Sequence, residues 1–227
     1  MLETTSGDGR TTRWDAHKAQ RREDVLDAAV AAIEQDGPGV GVRRIAEEAG
    51  LPRSVVYRHF ADRADLDERV RQRVVDALMT ELAPTLRPDG TPEEAIRRAV
   101  DAYLGWIERH PRLHAFLGAG SGRPGPDSSR AVSGTKSVIA ATVADLFTRL
   151  VRASGADTLL AGPLASGLVG LVDASVNRWL GDREGGLSAG ELADYLTRSA
   201  WLVLDGNLRA LGVELDPRTP VGDLLEG

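Results

Sequence analysis

Arginine guanidinia, hydroxyls and an imidazole crowd one short stretch of this chain of 227 residues. From Val42 to Leu66 it reads VRRIAEEAGLPRSVVYRHFADRADL, which holds Arg43, Arg44, Arg53, Arg58 and Arg63 together with Ser54, Tyr57 and His59. A guanidinium offers a planar fork of donors that matches the paired acceptors of guanine or the oxygens of a phosphate. Serine and tyrosine hydroxyls donate singly to phosphate. Such a collection suits gripping a polyanion rather than breaking bonds. Elsewhere no Ser-His-Asp arrangement or pair of carboxylates stands out. Ser133 and Lys136 have the S-x-x-K spacing of penicillin-interacting serine enzymes, but the companion motifs S-D-N and K-T-G are missing. Gly134-Thr135-Lys136-Ser137 lacks the glycine that precedes lysine in a phosphate loop. With no cysteine, thiolate metal sites and cysteine nucleophiles drop out. His110 and His114 lie four apart, yet Pro111 between them speaks against a shared metal. No catalytic residue, metal or cofactor is expected.

The elements that must hold these groups follow from the apolar spacing. Ile45, Ala46 and Ala49 make the small apolar face of a first short helix. Gly50 stands where that helix must end in a left-handed residue. Leu51 packs into the corner, and Pro52 presets the backbone for the next helix. Val56 and Phe60, four apart, both point inward, which leaves Arg53, Ser54, Val55, Tyr57, Arg58 and His59 facing outward or sideways. This is a helix-turn-helix, whose second helix is the part that enters a DNA major groove.

Composition agrees with that assignment. The chain is 42% hydrophobic and 27% charged, enough for a sizeable core, and shows little β-type alternation, so an all-α fold is expected. The net charge of −6 would oppose DNA binding if it were spread evenly. It is not, because Arg10, Arg13, Lys18, Arg21 and Arg22 gather near the start and five more arginines lie in the helix-turn-helix. The first segment reads either as a basic arm along a phosphate backbone or as a solubilising tail. No apolar run near Met1 resembles a signal peptide, and Leu159–Val172 is too short and too rich in glycine to span a membrane. A cytoplasmic protein is expected.

Along the chain, residues 1–15 read as a flexible basic arm, 16–66 as the helix-turn-helix domain and 67–227 as a second helical domain. A first helix spans about 16–35, with Val25, Ala28, Ala29, Ala32 and Ile33 on one stripe. Asp62 caps a longer helix to about Leu82, along which Leu66, Val70, Val74, Leu78 and Leu82 recur. Thr91-Pro92-Glu93-Glu94 is a capping box that opens a helix to about His110, and Pro111 starts a short one through Leu117. Gly118–Ser129 reads as a mobile loop. Helical patterns over about 130–153, 157–180 and 192–211 follow, the last behind a capping box at Ser188–Glu191, and the tail beyond Gly212 reads as irregular. About nine helices result. Gly162, Ser166, Gly170 and Ala174 recur every four residues, a small-residue stripe for close approach of another helix, within the bundle or across a two-fold axis.

The run IAEEAGLPRSVVYRHFADRADL resembles the tetracycline-repressor (TetR) family of bacterial transcription factors, with Ala46, Gly50, Tyr57, His59, Phe60 and Leu66 in register. The likeness covers about the first third of the chain. It implies an N-terminal three-helix DNA-binding domain, a C-terminal helical bundle, a homodimer on a palindromic operator, and a small hydrophobic effector that releases the DNA. Gly41 stands where the family has a capping hydroxyl, Pro52 replaces a serine, Val55 a hydroxyl residue and Arg63 a lysine. Resemblance and residue chemistry together nominate Arg13, Arg43, Arg44, Arg53, Ser54, Val55, Tyr57, His59 and Arg63 for DNA. Arg53 and Ser54 fall to bases, and Arg43, Arg44, His59 and Arg63 to phosphates. Tyr103, Trp106, His110, His114, Phe116, Phe147 and Trp179 are the ligand candidates, each also a plausible plain core position. The resemblance assigns 157–180 and 192–211 to the dimer, with Gly162, Ser166, Gly170, Ala174, Leu196 and Leu204 at its interface. The competing readings are a helical adaptor or ligand-binding protein without DNA binding, and the serine enzyme set aside above.

Overall fold

The computed structural model describes residues 8–119, 129–153, 157–181 and 186–226, with side chains from His17 onward. All regular structure in them is helical: α1 Asp8–Asp36, α2 Val42–Glu48, α3 Arg53–His59, α4 Arg63–Leu82, a 3-10 turn Ala83–Leu86, α5 Pro92–Arg109, α6 Pro111–Ala119, α7 Arg130–Ala153, α8 Ala161–Gly181, α9 Ala189–Ala210 and α10 Val221–Glu226. Helix starts sit where local chemistry puts them. The Asp62 carboxylate accepts from the Asp65 N–H at 2.8 Å, at the head of α4. Both capping boxes form, with the Glu94 carboxylate accepting from the Thr91 N–H at 2.9 Å and that of Glu191 from the Ser188 N–H at 2.8 Å. The end of α2 is equally local. Gly50 has φ +63°, its N–H donates to the Glu47 carbonyl at 3.1 Å, and the Leu51 N–H donates to the Ala46 carbonyl at 2.9 Å. That pair of bonds is the Schellman stop, which needs a left-handed residue at its corner.

Three differences from the sequence reading appear. The first helix begins at Asp8 rather than near Ala16, so the basic segment is helical. The helix of the small-residue stripe begins at Ala161, a turn later than expected. The tail carries α10, a tenth α-helix among the described residues. Its first residue, Val221, is buried and donates its N–H to the Gly90 carbonyl at 2.8 Å. The arm's first residues, 1–7, and most of the expected loop, 120–128, lie outside the described residues.

The chain forms two compact units, one of Met1–Val75 with His110–Val132 and one of Asp76–Arg109 with Ser133–Gly227. The first unit continues past Leu66 along α4 to Val75 and takes in α6. In the first unit Val25, Ala29 and Ile33 of α1, Ile45 of α2, Val56 of α3, Phe60 just after it, and Leu66, Val70 and Val74 of α4 are buried. Ionic staples hold α1 to its neighbours. Arg73 of α4 reaches Glu23 and Asp27, each at 2.8 Å, His110 pairs with Glu34, and Arg112 donates to the carbonyls of Glu34 and Gln35 at the end of α1. The second unit packs Phe147, Leu150 and Val151 of α7, Ala165 and Leu168 of α8, and Ala200, Leu204 and Leu208 of α9 into one core, with Val213 and Leu215 beyond. Arg97 ties α5 to Asp194 of α9, and Lys136 of α7 meets Asp173 of α8 at 2.8 Å.

Candidate nucleic-acid interface

The outer face of α3 is built by subtraction. Val56, 1% exposed, and Phe60, 2%, fix which side of this seven-residue helix faces the core. Arg53, Ser54, Tyr57 and Arg58 are therefore exposed, Val55 and His59 half-buried. Arg53 does not wave freely. Its Nη2 donates to the Tyr57 hydroxyl at 3.2 Å, and its guanidinium carbon lies 5.4 Å from the centre of the Tyr57 ring. A stacked, singly bonded guanidinium keeps most of its donors open while losing rotamer freedom in advance, which lowers the cost of aiming it at a base edge. At the start of the same helix Pro52 is the N-cap, and no side chain caps it. Gly41 likewise caps α2 without a side-chain bond.

The remaining nominated cations differ in how they are compensated. Arg43 is highly exposed, and its Nε donates to Glu47 at 2.9 Å within the same helix. That bond, with the Glu47 charge, raises its pKa. Arg44 binds Asp36 and Glu48 at 2.7 Å and the Gln35 side-chain oxygen at 2.8 Å, so it joins α2 to the end of α1. Arg63 pairs with Asp67 at 2.8 Å along α4. Arg44 and Arg63 thus face carboxylates, and Arg44 links two helices. Arg13 lies in α1, its side chain outside the described residues.

His59 closes α3 in a different setting. Partial burial lowers its pKa most, and then Lys18, Arg58, Arg22 and Arg21 lower it further, in that order. Three of these cations come from α1, and the Arg22 guanidinium carbon lies 5.3 Å from the centre of the Phe60 ring. The charge run of the first helix is thereby brought beside the end of the recognition helix. Sequence reading saw the run but nominated only Arg13 from it, because the pattern alone does not say which turn of α1 meets α3.

The seven ligand candidates divide between the units. His110, His114 and Phe116 belong to the first and Tyr103, Trp106, Phe147 and Trp179 to the second. His114 and Phe116 are buried, and Arg71 stacks on Phe116 at 5.0 Å. Trp106 and Phe147 are buried, and the Trp179 indole N–H donates to the Leu187 carbonyl at 2.6 Å. Burial first and the Asp173 charge second push the Tyr103 phenol above its ordinary pKa. Among the described residues no group of three or more His, Asp or Glu is placed to hold a metal ion. The Lys136 ammonium is held by Asp173, not turned to Ser133 as an S-x-x-K base would require. On α8, Gly162, Ser166, Gly170 and Ala174 are all exposed, whereas Leu196 and Leu204 of α9 are buried in their own unit.

An all-helical chain with an exposed, arginine-led second helix behind a Schellman turn is a helix-turn-helix transcriptional regulator. Residues 25–70 match the pattern of the bacterial regulatory proteins of the tetR family. An uncharacterised HTH-type transcriptional regulator of Mycobacterium tuberculosis strain H37Rv is 30% identical over 210 residues, 92% of this chain and 88% of that one. The chain belongs to the TetR family. The HTH-type transcriptional activator FasR of Mycolicibacterium smegmatis is 28% identical over 162 residues, covering 71% of this chain and 73% of FasR. Among solved structures, a tetR-family regulator from Streptomyces coelicolor shares the fold with a TM-score of 0.66 at 18% identity, covering 92% of this chain and 87% of that one. FadR from Bacillus subtilis, solved in complex with stearoyl-CoA, shares it with a TM-score of 0.62 at 15% identity, covering 81% and 98%. No helix of the described residues is long and apolar enough to cross a membrane.

Proposed function

We propose that this regulator is a cytoplasmic homodimer that represses transcription from a palindromic operator and is released from it by a small, largely hydrophobic effector. The observation that carries the reading is the exposed face of α3, where Arg53 is stacked on Tyr57 beside an open Ser54. Arg53 reads a guanine, Ser54 and Tyr57 hold the register, and two copies of α3 meet half-sites about 34–36 Å apart. Dimerisation fits the exposed stripe of α8 and the exposed Tyr195, Leu202 and Val203 of α9, of which Leu202 is 61% exposed. The stearoyl-CoA bound by FadR supports an acyl-type effector, to which Tyr103, Trp106 and Phe147 of the second unit would offer an aromatic wall. The helix α4 carries residues of both units without a break, which suits it to pass effector binding on to the spacing of the recognition helices. By linkage, effector and operator weaken each other by the same factor.

Gel retardation with the DNA upstream of the protein's own gene tests this. The expected result is a sequence-specific, salt-sensitive shift that stearoyl-CoA reverses. Arg53→Ala weakens that complex by about 1–3 kcal/mol and relaxes one base position. An unchanged affinity for Arg53→Ala removes the base-reading role. Binding that ignores sequence favours the helical adaptor. FasR is named an activator, so transcription in vitro from the bound promoter decides the sign, with a fall in transcript expected.

A further inference from the structure

The cations of the first unit differ in what they face. Arg43, Arg44, Arg63, Arg69 and Arg73 each face a carboxylate, at distances from 2.7 to 3.6 Å. Lys18, Arg21 and Arg58 have no carboxylate partner among the described residues, and Arg22 has the Phe60 ring instead. Of the described acidic residues near them in sequence, Glu23 and Asp27 are bound by Arg73, Asp24 accepts from Gln20, and Asp62 accepts from the Asp65 N–H. Four cations without a carboxylate partner on two helices repel one another, and among the described residues only the Phe60 ring, under Arg22, offsets that. All four lower the pKa of His59, and the Arg22 guanidinium over the Phe60 ring places this stretch of α1, with Lys18 and Arg21 on the same helical face, beside the end of α3. The cluster sits at the end of α3, while Arg53 opens it. A seven-residue helix is about 10 Å long, so bases at one end and a backbone phosphate at the other fit one groove crossing.

We propose that Lys18, Arg21, Arg22 and Arg58, gathered round His59, form a backbone-phosphate site that anchors the end of the recognition helix on DNA, with His59 as its proton-dependent member. The inference rests on the DNA-binding reading above and adds to it where the sequence-independent grip resides. It also moves that grip away from Arg44 and Arg63, whose carboxylate partners are partly buried. A phosphate among these groups offsets the cations' field on His59 and favours its charged form, so binding takes up a proton. Affinity then rises as pH falls through the range below the ordinary histidine value.

The test uses the full-length protein and a duplex that it has selected from a random-sequence pool, beside an unselected duplex. Each cation that releases counterions contributes about 0.9 to the slope of log affinity against log salt. Lys18→Ala with Arg21→Ala removes two such contacts, one at an exposed and one at a half-buried position of α1, where alanine suits the helix. The slope becomes shallower by about 2, so the fall in affinity between roughly 50 and 200 mM salt shrinks by about tenfold. Selected and unselected duplexes are weakened alike. Arg149→Ala, in the second unit, leaves the slope where it was. Lowering pH from about 7 to about 5 tightens wild-type binding, and His59→Gln flattens that dependence. A double variant with the wild-type slope overturns the site, and a pH dependence that persists in His59→Gln removes the imidazole from it. If the wild-type protein enriches no sequence from the pool, the DNA-binding reading itself falls, a result distinct from either.

Discussion

Arg43 and Arg44 are adjacent in the chain and chemically identical, yet they have different work. Arg43 points into solvent and shares its charge with Glu47 one turn on, while Arg44 gathers Asp36, Glu48 and Gln35 from two helices. The i,i+4 partners of both were legible in the sequence, as was that of Arg63 in Asp67. The contacts to Asp36 and Gln35 were not, because they depend on the angle at which the 37–41 turn sets α2 against α1. That is why composition alone made Arg44 a phosphate ligand. Arg44→Ala is expected to lower the melting temperature through loss of this link and to leave the salt slope of DNA binding intact. Thermal unfolding alongside a salt titration checks it, and a shallower slope with unchanged melting would return Arg44 to the DNA. Arg53 is the opposite case: its outward position follows from Val56 and Phe60 alone, and the structure adds only the stacking on Tyr57.

At the scale of elements, the starts and stops read most faithfully are those made by neighbours in the chain. The capping boxes at Thr91 and Ser188, the aspartate cap of α4 and the glycine stop of α2 need three to five residues each, all visible in a local window. The helix α10 was missed for the complementary reason. Six residues are too few to be helical by themselves, and Val221 is fixed by a bond to Gly90 and by burial, neither of which is local. The α2 stop gives a clean prediction. Gly50 has open space around the position a Cβ would take, so Gly50→Ala meets no clash and pays only for its φ of +63°. A loss of about 1–2 kcal/mol is expected in denaturant unfolding, and Gly50→Asn should lose less because asparagine tolerates the left-handed region. Equal losses for both would show that something other than backbone conformation sets the turn. Since Leu51 and Pro52 follow directly, a strained turn also tilts α3, and weaker operator binding should accompany the lost stability.

For the whole molecule, what a linear reading misses is that a unit need not be contiguous. His110–Val132 joins the first unit because His110 and Arg112 dock on the end of α1, far from them in sequence. The two-fold assembly is a question of the same scale. In sequence, the stripe Gly162, Ser166, Gly170, Ala174 could pack inside the bundle or across an axis. All four residues are exposed, with open space at both glycines, while the inward side of α8 is filled by Ala161, Ala165, Leu168 and Val176. A face of small residues permits close backbone approach, and the exposed Leu202 and Val203 on α9 supply the apolar area that a lone chain would leave wet. Ser166→Arg combined with Leu202→Asp puts bulk and charge on that face without touching the core. The expected outcome is a folded monomer in sedimentation at micromolar concentration, with the far-ultraviolet helical signal preserved. Operator affinity then falls by about 10²–10⁴-fold, because each half-site must be held without its partner. A variant that still sediments as a dimer with unchanged operator affinity would place the two-fold contact elsewhere on the chain.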